Sequence, residues 1–192
     1  KPFFLSSSID LHTVNLKEIF DDNSVLINIL KTEILNNINL NGKLKVKVNN
    51  FKGLKLLDGI KFNILLEQGD IFVQNLEMIF KDSILIKLSD TQLIINNNDL
   101  NFTGYISLDF LNINDFYSHY QINRKYRKKI KKMNFGFFFN LNEKFVEIDN
   151  FKIDGVSNKN LNKFLNNLNS KKQNIFNKIT FRNSIKEFFN NL

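Results

Sequence analysis

Residues 43–48 read KLKVKV, residues 60–64 read IKFNI and residues 135–139 read FGFFF; in each stretch apolar side chains recur at every second position. A period of two places successive side chains on opposite faces of a β-strand. The pattern recurs from residue 38 to residue 153 and predicts a sheet with one apolar face and one more polar face. Either another protein layer or a ligand must cover the apolar face, and which of them does so is the functional question.

Short polar segments separate these stretches at roughly ten-residue intervals, the spacing typical of an up-and-down antiparallel meander. Their residues tolerate the tight backbone of turns. The segments are Asn41-Gly42, Asn49-Asn50, Asp58-Gly59, Gln68-Gly69-Asp70, Lys81-Asp82-Ser83 and residues 96–99. We expect about nine strands between residues 38 and 153. Helical patterns do not alternate with these strands, which argues against a parallel α/β fold.

Helical periodicity lies mainly outside this region. Ser24 can cap a helix that runs to about residue 35, and its apolar stripe would consist of Val25, Leu26, Ile29 and Leu30. A short helix is expected near residue 114, where helix-capping residues follow the sixth turn signal. Spacings of three and four residues predict amphipathic helices over 158–169 and from about residue 182 onward.

The predicted fold class is mostly β (α+β): a long, curved antiparallel meander sheet with a few flanking helices, including two amphipathic C-terminal helices. Residues 1–37 form a leading strand and short helices. Residues 38–155 form the sheet region, with a short helix and a basic linker near 114–132, and residues 156–192 form a helical cap. We expect an open apolar face, because two terminal helices are too few to cover so long a sheet.

The composition is that of a folded globular protein, since 43% of the 192 residues are hydrophobic and 24% are charged. The chain has no cysteine, which excludes disulfides and thiolate metal sites. A net charge of +8 would suit nucleic acid or anionic membrane surfaces, although lysine-rich codon usage explains that charge more simply. No stretch approaches the roughly 20 apolar residues of a membrane-spanning helix.

The sequence contains no motif of a catalytic or metal site. His12 and His119 are the only histidines, and a histidine flanked by aromatic residues, as His119 is, is more often structural than catalytic. The carboxylates are spread along turns and polar faces, and no phosphate-binding loop, Gly-x-Ser-x-Gly or His-Glu-x-x-His segment occurs. We therefore predict a protein that is not an enzyme, without catalytic residues, metal ligands or a cofactor.

Residues 124–132, RKYRKKIKK, form the one dense charge cluster of the sequence. Such a run can contact phosphates or anionic headgroups. The candidates for headgroup binding are Arg124, Lys125, Arg127 and Lys128. A solvated linker between strands explains the run as well. Binding of nucleic acid through this run is less favoured, because it would also need exposed aromatic residues on a basic sheet face.

Four stretches of the chain carry a resemblance to a known family. They are residues 68–73 with 80–83, residues 99–106, residues 115–121 with the basic run, and an ending made of Ile153-Asp154-Gly155, Asn158, Leu161, Phe164-Leu165, Asn169 and Arg182-Asn183. From about residue 38 to residue 192 the chain resembles the C-terminal part of AsmA-like proteins of the bacterial cell envelope, the family that also includes TamB-type proteins. The resemblance is a pattern of many short matches without a single diagnostic motif.

This resemblance implies a non-enzymatic protein that binds phospholipid or conducts it between membranes along a hydrophobic β-groove, or that assists outer-membrane assembly. It implies a periplasmic location, with an inner-membrane anchor in a part of the parent protein that is absent from this chain, which begins at Lys1 without Met. Envelope or outer-membrane proteins are candidate partners, and no nucleic acid is expected.

A groove of this kind would stabilise acyl chains by about 25 cal/mol per Å² of buried apolar area. One alternation set of the strands would line it: Leu44, Val46, Ile60, Phe62, Ile64, Ile71, Val73, Ile84, Ile86, Phe102, Ile106, Phe135, Phe137 and Phe139. A closed-core structural or protein-interaction module, with its partner at a sheet edge, is the alternative interpretation.

Overall fold

A computed structural model describes residues 3–21, 23–52, 57, 59–96, 99–157, 159–171 and 177–192 of the protein. Within these ranges nine strands form one sheet, in which spatial order follows chain order. The strands are β1 (Phe3–Val14), β2 (Leu40–Phe51), β3 (Ile60–Glu67), β4 (Asp70–Phe80), β5 (Ile84–Asn96), β6 (Asp99–Phe110), β7 (Lys132–Asn140), β8 (Phe145–Ile153) and β9 (Val156–Ser157). The mostly β class with flanking helices is therefore confirmed, and the sheet does not close on itself.

Helices occupy the connections at three places in the chain. They are α1 (Leu16–Ile19), α2 (Val25–Lys31), α3 (Ile113–Tyr120), α4 (Lys159–Ser170) and α5 (Lys178–Asn190), with 3-10 helices at Ile34–Asn36 and Arg124–Tyr126. Helices α1 and α2 join β1 to β2, α3 joins β6 to β7, and α4 and α5 follow the sheet. The predicted turn residues at 58 and 97–98, and residue 158 of the predicted ending, lie outside the described residues.

The predicted antiparallel meander extends from β2 to β9, because each of these strands pairs antiparallel with the next. Strand β1 differs: it pairs parallel to β2, from Phe3 opposite Leu40 to Val14 opposite Phe51. A parallel pair needs a crossover connection, and the segment that contains α1 and α2 provides it. The leading segment thus belongs to the same sheet as its parallel edge strand.

The expected number of strands between residues 38 and 153 was too high. The structure describes seven strands there, β2 to β8, and the other two strands of the sheet lie outside this range. The reason is strand length, since β2 and β6 have 12 residues each and β5 has 13. The ten-residue template divides the same residues into more and shorter strands.

Helix α2 confirms the predicted cap but not the predicted apolar stripe. The Ser24 Oγ accepts a hydrogen bond of 3.1 Å from the backbone N–H of Ile27, which fixes the start of the helix. The helix ends at Lys31, and its buried residues are Ile27 and Leu30. The other three residues of the predicted stripe are exposed: Val25, Leu26 and Ile29. Ile27 and Leu30, which are three residues apart, therefore face the sheet, and the rest of the predicted stripe does not.

A row of irregularities crosses the middle of the sheet. Asn75 in β4, Asp90 in β5 and Asn150 in β8 have left-handed backbone, with φ of 54°, 50° and 48°, which Asn and Asp tolerate better than other residues. The pairing register shifts beside each of them. An extra residue of this kind bends a strand and increases its twist. It also reverses the alternation, so that Ile71 and Met78 in β4 share one face of the sheet despite their odd spacing.

One face of the sheet, here called the inner face, carries all three buried clusters. The first lies beside α1 and contains Val14, Val46, Val48, Phe51 and Ile60. The second lies beneath α2 and contains Ile27, Leu30, Ile71, Leu100 and Leu141. The third and largest lies beneath α3, α4 and α5 and contains Ile84, Phe116, Tyr117, Ile122, Ile130, Met133, Phe151, Leu161, Phe164, Leu165 and Phe189. The terminal helices therefore share the covering of the inner face with α1, α2 and α3.

Two asparagines determine where the C-terminal helices lie. The side chain of Asn177 accepts hydrogen bonds from Ile179 N and Thr180 N, so α5 begins about one turn earlier than predicted. The Asn169 amide donates to Ile148 O at 2.8 Å and accepts from Ile148 N at 3.0 Å. In β8, only Lys152 and Ile153 pair with β9, so no described strand lies beside the outer edge of β8 at Ile148. Asn169 supplies the hydrogen bonds at that edge and thereby fixes α4 beside β8.

Candidate functional site

An apolar cavity of about 390 Å³ lies between the inner face and helices α3, α4 and α5. The sheet contributes Phe80, Ile84, Ile86, Ile106, Leu108, Phe110, Met133, Phe135, Val146, Ile148 and Phe151. The helices contribute Phe116, Tyr120, Phe164, Leu165, Leu168, Thr180, Phe181, Ser184, Ile185, Phe188 and Phe189. None of these described lining residues is charged, so the cavity favours an apolar ligand.

Aromatic rings form much of the cavity wall and brace one another. Phe135 and Phe151 stack with their centroids 5.5 Å apart and their planes 12° apart. Phe188 meets Phe151 edge to face at 5.2 Å and Phe189 at 5.1 Å. Such contacts between rings hold flat groups in fixed orientations. The rings therefore support one another around the cavity.

One residue marks the most exposed part of the cavity wall. Among the described lining residues only Phe181 is exposed, with 41% of its surface accessible. Its ring lies 6.3 Å from that of Tyr120, and Tyr120 packs on His119, whose ring contacts Phe80 at 5.7 Å. We call the region of Phe80, Tyr120 and Phe181 the mouth of the cavity.

The size of the cavity limits the ligand to one apolar chain or a compact apolar molecule. Its volume of about 390 Å³ is more than twice the roughly 150 Å³ of an engineered apolar cavity that stays dry and takes up benzene. It lies near the lower end of the range of about 300–1,000 Å³ that holds small-molecule ligands. The polar side chains of the wall are Tyr120, Thr180 and Ser184, so the cavity offers water few hydrogen-bond partners and an apolar ligand would have little bound water to displace.

Burial changes the acid–base behaviour of the groups beside the mouth. Burial raises the pKa of the Tyr120 hydroxyl. Burial also lowers the pKa of His119, and the charges of Lys81 and Arg182 lower it further. The Lys81 Nζ lies 3.2 Å from His119 Nδ1, a contact that suits a neutral imidazole accepting from the ammonium group. His119 is thus held neutral at physiological pH.

The predicted headgroup residues do not line the cavity. Arg124, Lys125 and Lys128 are exposed, and the Lys125 ammonium lies 4.6 Å from the centre of the Tyr126 ring. The Arg127 Nε donates to Ile122 O at 3.0 Å, and Lys128 Nζ donates to Leu192 O. Two of the four candidates, Arg127 and Lys128, are therefore engaged with backbone carbonyl groups of their own chain.

Tyr117 anchors this linker beneath α3. Its hydroxyl donates to Lys128 O at 2.6 Å and accepts from Lys128 N at 3.1 Å. Burial raises the pKa of the Tyr117 hydroxyl, and the backbone hydrogen bond at Lys128 and the charge of Arg127 lower it in part. The role of Tyr117 is thus to hold the linker between α3 and β7.

The predicted groove residues all lie on the inner face, as their cross-strand partners show. Ile84, Ile86, Ile106 and Phe135 line the cavity. Four others are buried in the sheet or under other helices: Val46, Ile60, Ile71 and Phe137. The remaining six are half-buried: Leu44, Phe62, Ile64, Val73, Phe102 and Phe139. The structure therefore brings four of the predicted residues together at one candidate site.

Sequence reasoning missed most of the cavity wall. Leu108 and Phe110 continue the even-numbered alternation of Phe102 and Ile106 in β6, so extending that set would have found them. Phe151 lies beyond the bulge at Asn150, which changes its face. The helical wall could be expected only in general terms, because an amphipathic pattern indicates a buried stripe without its partner.

The described residues contain no cluster of side chains suited to binding a metal ion. Within the described ranges, no three His, Asp or Glu side chains lie close enough together to hold a metal ion. No helix in the same ranges combines the length and hydropathy needed to cross a membrane.

The sequence matches no family model, and no curated protein and no solved structure shows significant similarity to the chain. The resemblance to AsmA-like proteins therefore stays a prediction that rests on the short matches alone.

Proposed function

We propose that the protein binds lipid without catalysing a reaction, and that the cavity takes up an acyl chain. The observation that carries this proposal is the continuous apolar wall around about 390 Å³ of space beneath α3, α4 and α5. Filling it with hydrocarbon removes apolar ligand surface from water, worth about 0.8 kcal/mol for each buried methylene group. Binding of this kind requires no nucleophile, no metal and no proton transfer.

The cellular role that we propose follows the resemblance of the sequence to AsmA-like proteins. In that role the ligand is a phospholipid of the cell envelope, and the protein binds or conducts it between membranes or assists outer-membrane assembly. The location would be the periplasm, with anchoring to the inner membrane by another part of the parent protein. Extraction and mass spectrometry of lipids that co-purify with the protein would test this role, because phospholipid at one copy per chain is expected.

A cavity-filling variant tests the binding proposal itself. Ser184 lines the cavity from α5, so Ser184→Leu would place an apolar side chain in the space that the acyl chain needs. Asn183→Leu adds the same side chain at the neighbouring, exposed position and serves as the matched control. The ligand is N-phenyl-1-naphthylamine, a neutral apolar dye whose fluorescence rises on transfer from water.

We expect the dye to bind the unaltered protein and Asn183→Leu with equal affinity, and Ser184→Leu about tenfold more weakly, a difference of about 1.4 kcal/mol. Thermal unfolding of both variants shows whether they remain folded. Equal dye binding by a folded Ser184→Leu variant would mean that the cavity is not the binding site.

A second candidate function, protein interaction at a sheet edge, is favoured by strand β1. Phe3, Phe4 and Leu5 are 65%, 63% and 51% exposed, and β1 pairs with β2 alone. An exposed apolar edge strand can pair with a strand of another chain. Sedimentation of the unaltered protein and of Phe4→Lys tests this function: concentration-dependent association that the substitution abolishes would support it.

A further inference from the structure

Three pairs of neighbouring residues meet at the mouth of the cavity. They are Phe80-Lys81 at the end of β4, His119-Tyr120 at the end of α3, and Phe181-Arg182 in the first half of α5. In each pair the aromatic residue lines the cavity, and its neighbour carries a positive charge or can acquire one. Three separate elements therefore place an apolar group and a basic group side by side. We call Lys81, His119 and Arg182 the polar rim.

The positive charge of the polar rim is not balanced by the described part of the protein. The ion pairs found there are Lys47–Asp10, Lys87–Glu77 and Lys132–Asp109, and none includes a residue of the polar rim. Among the described residues, the charges that lower the pKa of His119 are those of Lys81 and Arg182. Lys81 and Arg182 thus lie near the neutral His119, and neither has an ion-pair partner among the described residues.

The acidic residues of the surrounding elements do not serve as partners. Asp115, the carboxylate of α3, accepts hydrogen bonds from Ser83 Oγ at 3.1 Å and Asn112 Nδ2 at 2.9 Å. Asp82, in the turn after β4, and Glu187, in α5, are exposed, and neither forms an ion pair with the polar rim in the described residues.

Arg182 adds an independent observation. Its Nε is buried and has no hydrogen-bond partner among the described residues. Native proteins pair nearly all buried donors, and a buried donor left unpaired indicates a missing ion, water or ligand. Arginine is well suited to this task, since its guanidinium group donates two parallel hydrogen bonds to a carboxylate or phosphate.

We propose that Lys81, His119 and Arg182 bind the anionic headgroup of the amphiphile whose alkyl chain occupies the cavity. This inference rests on the proposed function, because it assumes that the cavity holds the chain. It specifies the part of the ligand that the site holds: one alkyl chain with an anionic carboxylate or phosphate group at its end nearest the mouth. It also assigns headgroup binding to residues other than the basic run, whose Arg127 and Lys128 are engaged with their own chain.

Three ligands of equal chain length separate the polar rim from the cavity. They are dodecanoate, dodecyl phosphate and the uncharged dodecanol, each titrated as a competitor of the dye N-phenyl-1-naphthylamine. The variants are Lys81→Gln, in an exposed turn, and Arg182→Gln, with Arg182→Lys as a conservative rescue. Lys163→Gln makes the same change of charge at an exposed position and is the matched control. Lys163 belongs to α4, a helix that also contributes residues to the cavity wall.

We expect Lys81→Gln and Arg182→Gln to bind the two anions about tenfold more weakly and dodecanol within about twofold of the unaltered protein. Lys163→Gln should bind all three ligands normally, and Arg182→Lys should recover part of the lost affinity. The anion that binds more tightly identifies the headgroup as carboxylate or phosphate. Because Lys81 is exposed, its variant remains informative if the Arg182 variants are destabilised.

The inference would be overturned if the unaltered protein and both Gln variants bound the anions equally well while dodecanol was still bound. In that case the proposal that the cavity binds an apolar chain would remain valid, and only the headgroup assignment to the polar rim would fail. Absence of binding by dodecanol and both anions would remove the proposed function and this inference together. The His119 ring gives a second readout by nuclear magnetic resonance: a bound anion should raise the pKa of His119, and dodecanol should not.

Discussion

The two ends of the inner face are built from the same kind of alternating strand and yet are covered in different ways. Beneath α1 and α2 the buried residues are mainly branched aliphatic ones, with Phe51 as the one aromatic among ten. Beneath α3, α4 and α5, five of the eleven buried residues are Phe or Tyr. Small branched side chains interdigitate and fill gaps, whereas braced rings span longer distances and leave space. The choice of side chain, more than the strand pattern, separates a filled core from a cavity.

The largest expected effect is a difference in the free energy of unfolding between two substitutions in β6, one at each end of the inner face. Leu100 and Leu108 both lie on the inner face of β6; Leu100 is 1% exposed in the aliphatic end, and Leu108 lines the cavity. We expect Leu100→Ala to lower the free energy of unfolding by about 4 kcal/mol and Leu108→Ala by about 2 kcal/mol, because a side chain beside empty space has fewer contacts to lose. Urea denaturation measures both values, and equal losses would mean that the two ends are packed alike.

The next effect concerns the attachment of α4 to the cavity end. Asn169→Ala removes both hydrogen bonds to the backbone of Ile148 and leaves that edge of β8 without a partner. We expect a loss of about 2 kcal/mol in the free energy of unfolding and faster hydrogen exchange at the Ile148 amide. Asn167→Ala, at an exposed position of the same helix, is the control and should change the free energy little.

A smaller effect is expected at the aliphatic end. Ser24→Ala removes the cap of α2, in which Ser24 Oγ accepts from Ile27 N, and should cost about 1 kcal/mol in the free energy of unfolding. Dye binding in the distant cavity should be unchanged. A loss of dye binding in this variant would show that the two ends of the inner face are energetically coupled.

The smallest effect is a dependence of stability on pH at the mouth of the cavity. Burial, Lys81 and Arg182 depress the pKa of His119 in the folded protein. The unfolded chain therefore takes up a proton first as the pH falls, and the stability present above the ordinary histidine pKa of about 6.5 is lost towards the lower folded value. We expect His119→Gln to flatten the decline of the melting temperature between about pH 7 and pH 5. Asn114→Gln, at an exposed position of the same helix as His119, changes no titratable group; it is the control and should leave the decline as it is.

The sequence predicts the strands well because the evidence for each is local. Alternation in residues 43–48 or 135–139 assigns the faces of β2 and β7 directly, and the Ser24 cap was predicted where it occurs. The bulges at Asn75, Asp90 and Asn150 could not be predicted, because a single Asn or Asp has no strong preference for left-handed backbone. Their effect is large, since each moves the following residues to the other face.

The candidate site is less predictable than the sheet for a physical reason. Strand periodicity predicts residues that the sheet contributes to the site, as Ile84, Ile86, Ile106 and Phe135 show. The walls depend on which helix stripe meets which strand, and this is decided by packing between distant segments. The polar rim illustrates the limit, because Lys81, His119 and Arg182 come from three elements. Nothing in the sequence near any one of them indicates the other two.

The coincidence of spatial order and chain order in the sheet has a consequence for how the protein forms. Every strand after β1 pairs with the strand just before it in the chain, so none of these strands has to wait for a segment synthesised later before it can pair. During synthesis the sheet can grow strand by strand as the chain leaves the ribosome. The cavity is different, since α5 follows all nine strands in the chain. The cavity is therefore completed only when α5, whose residues form part of its wall, docks on the finished sheet.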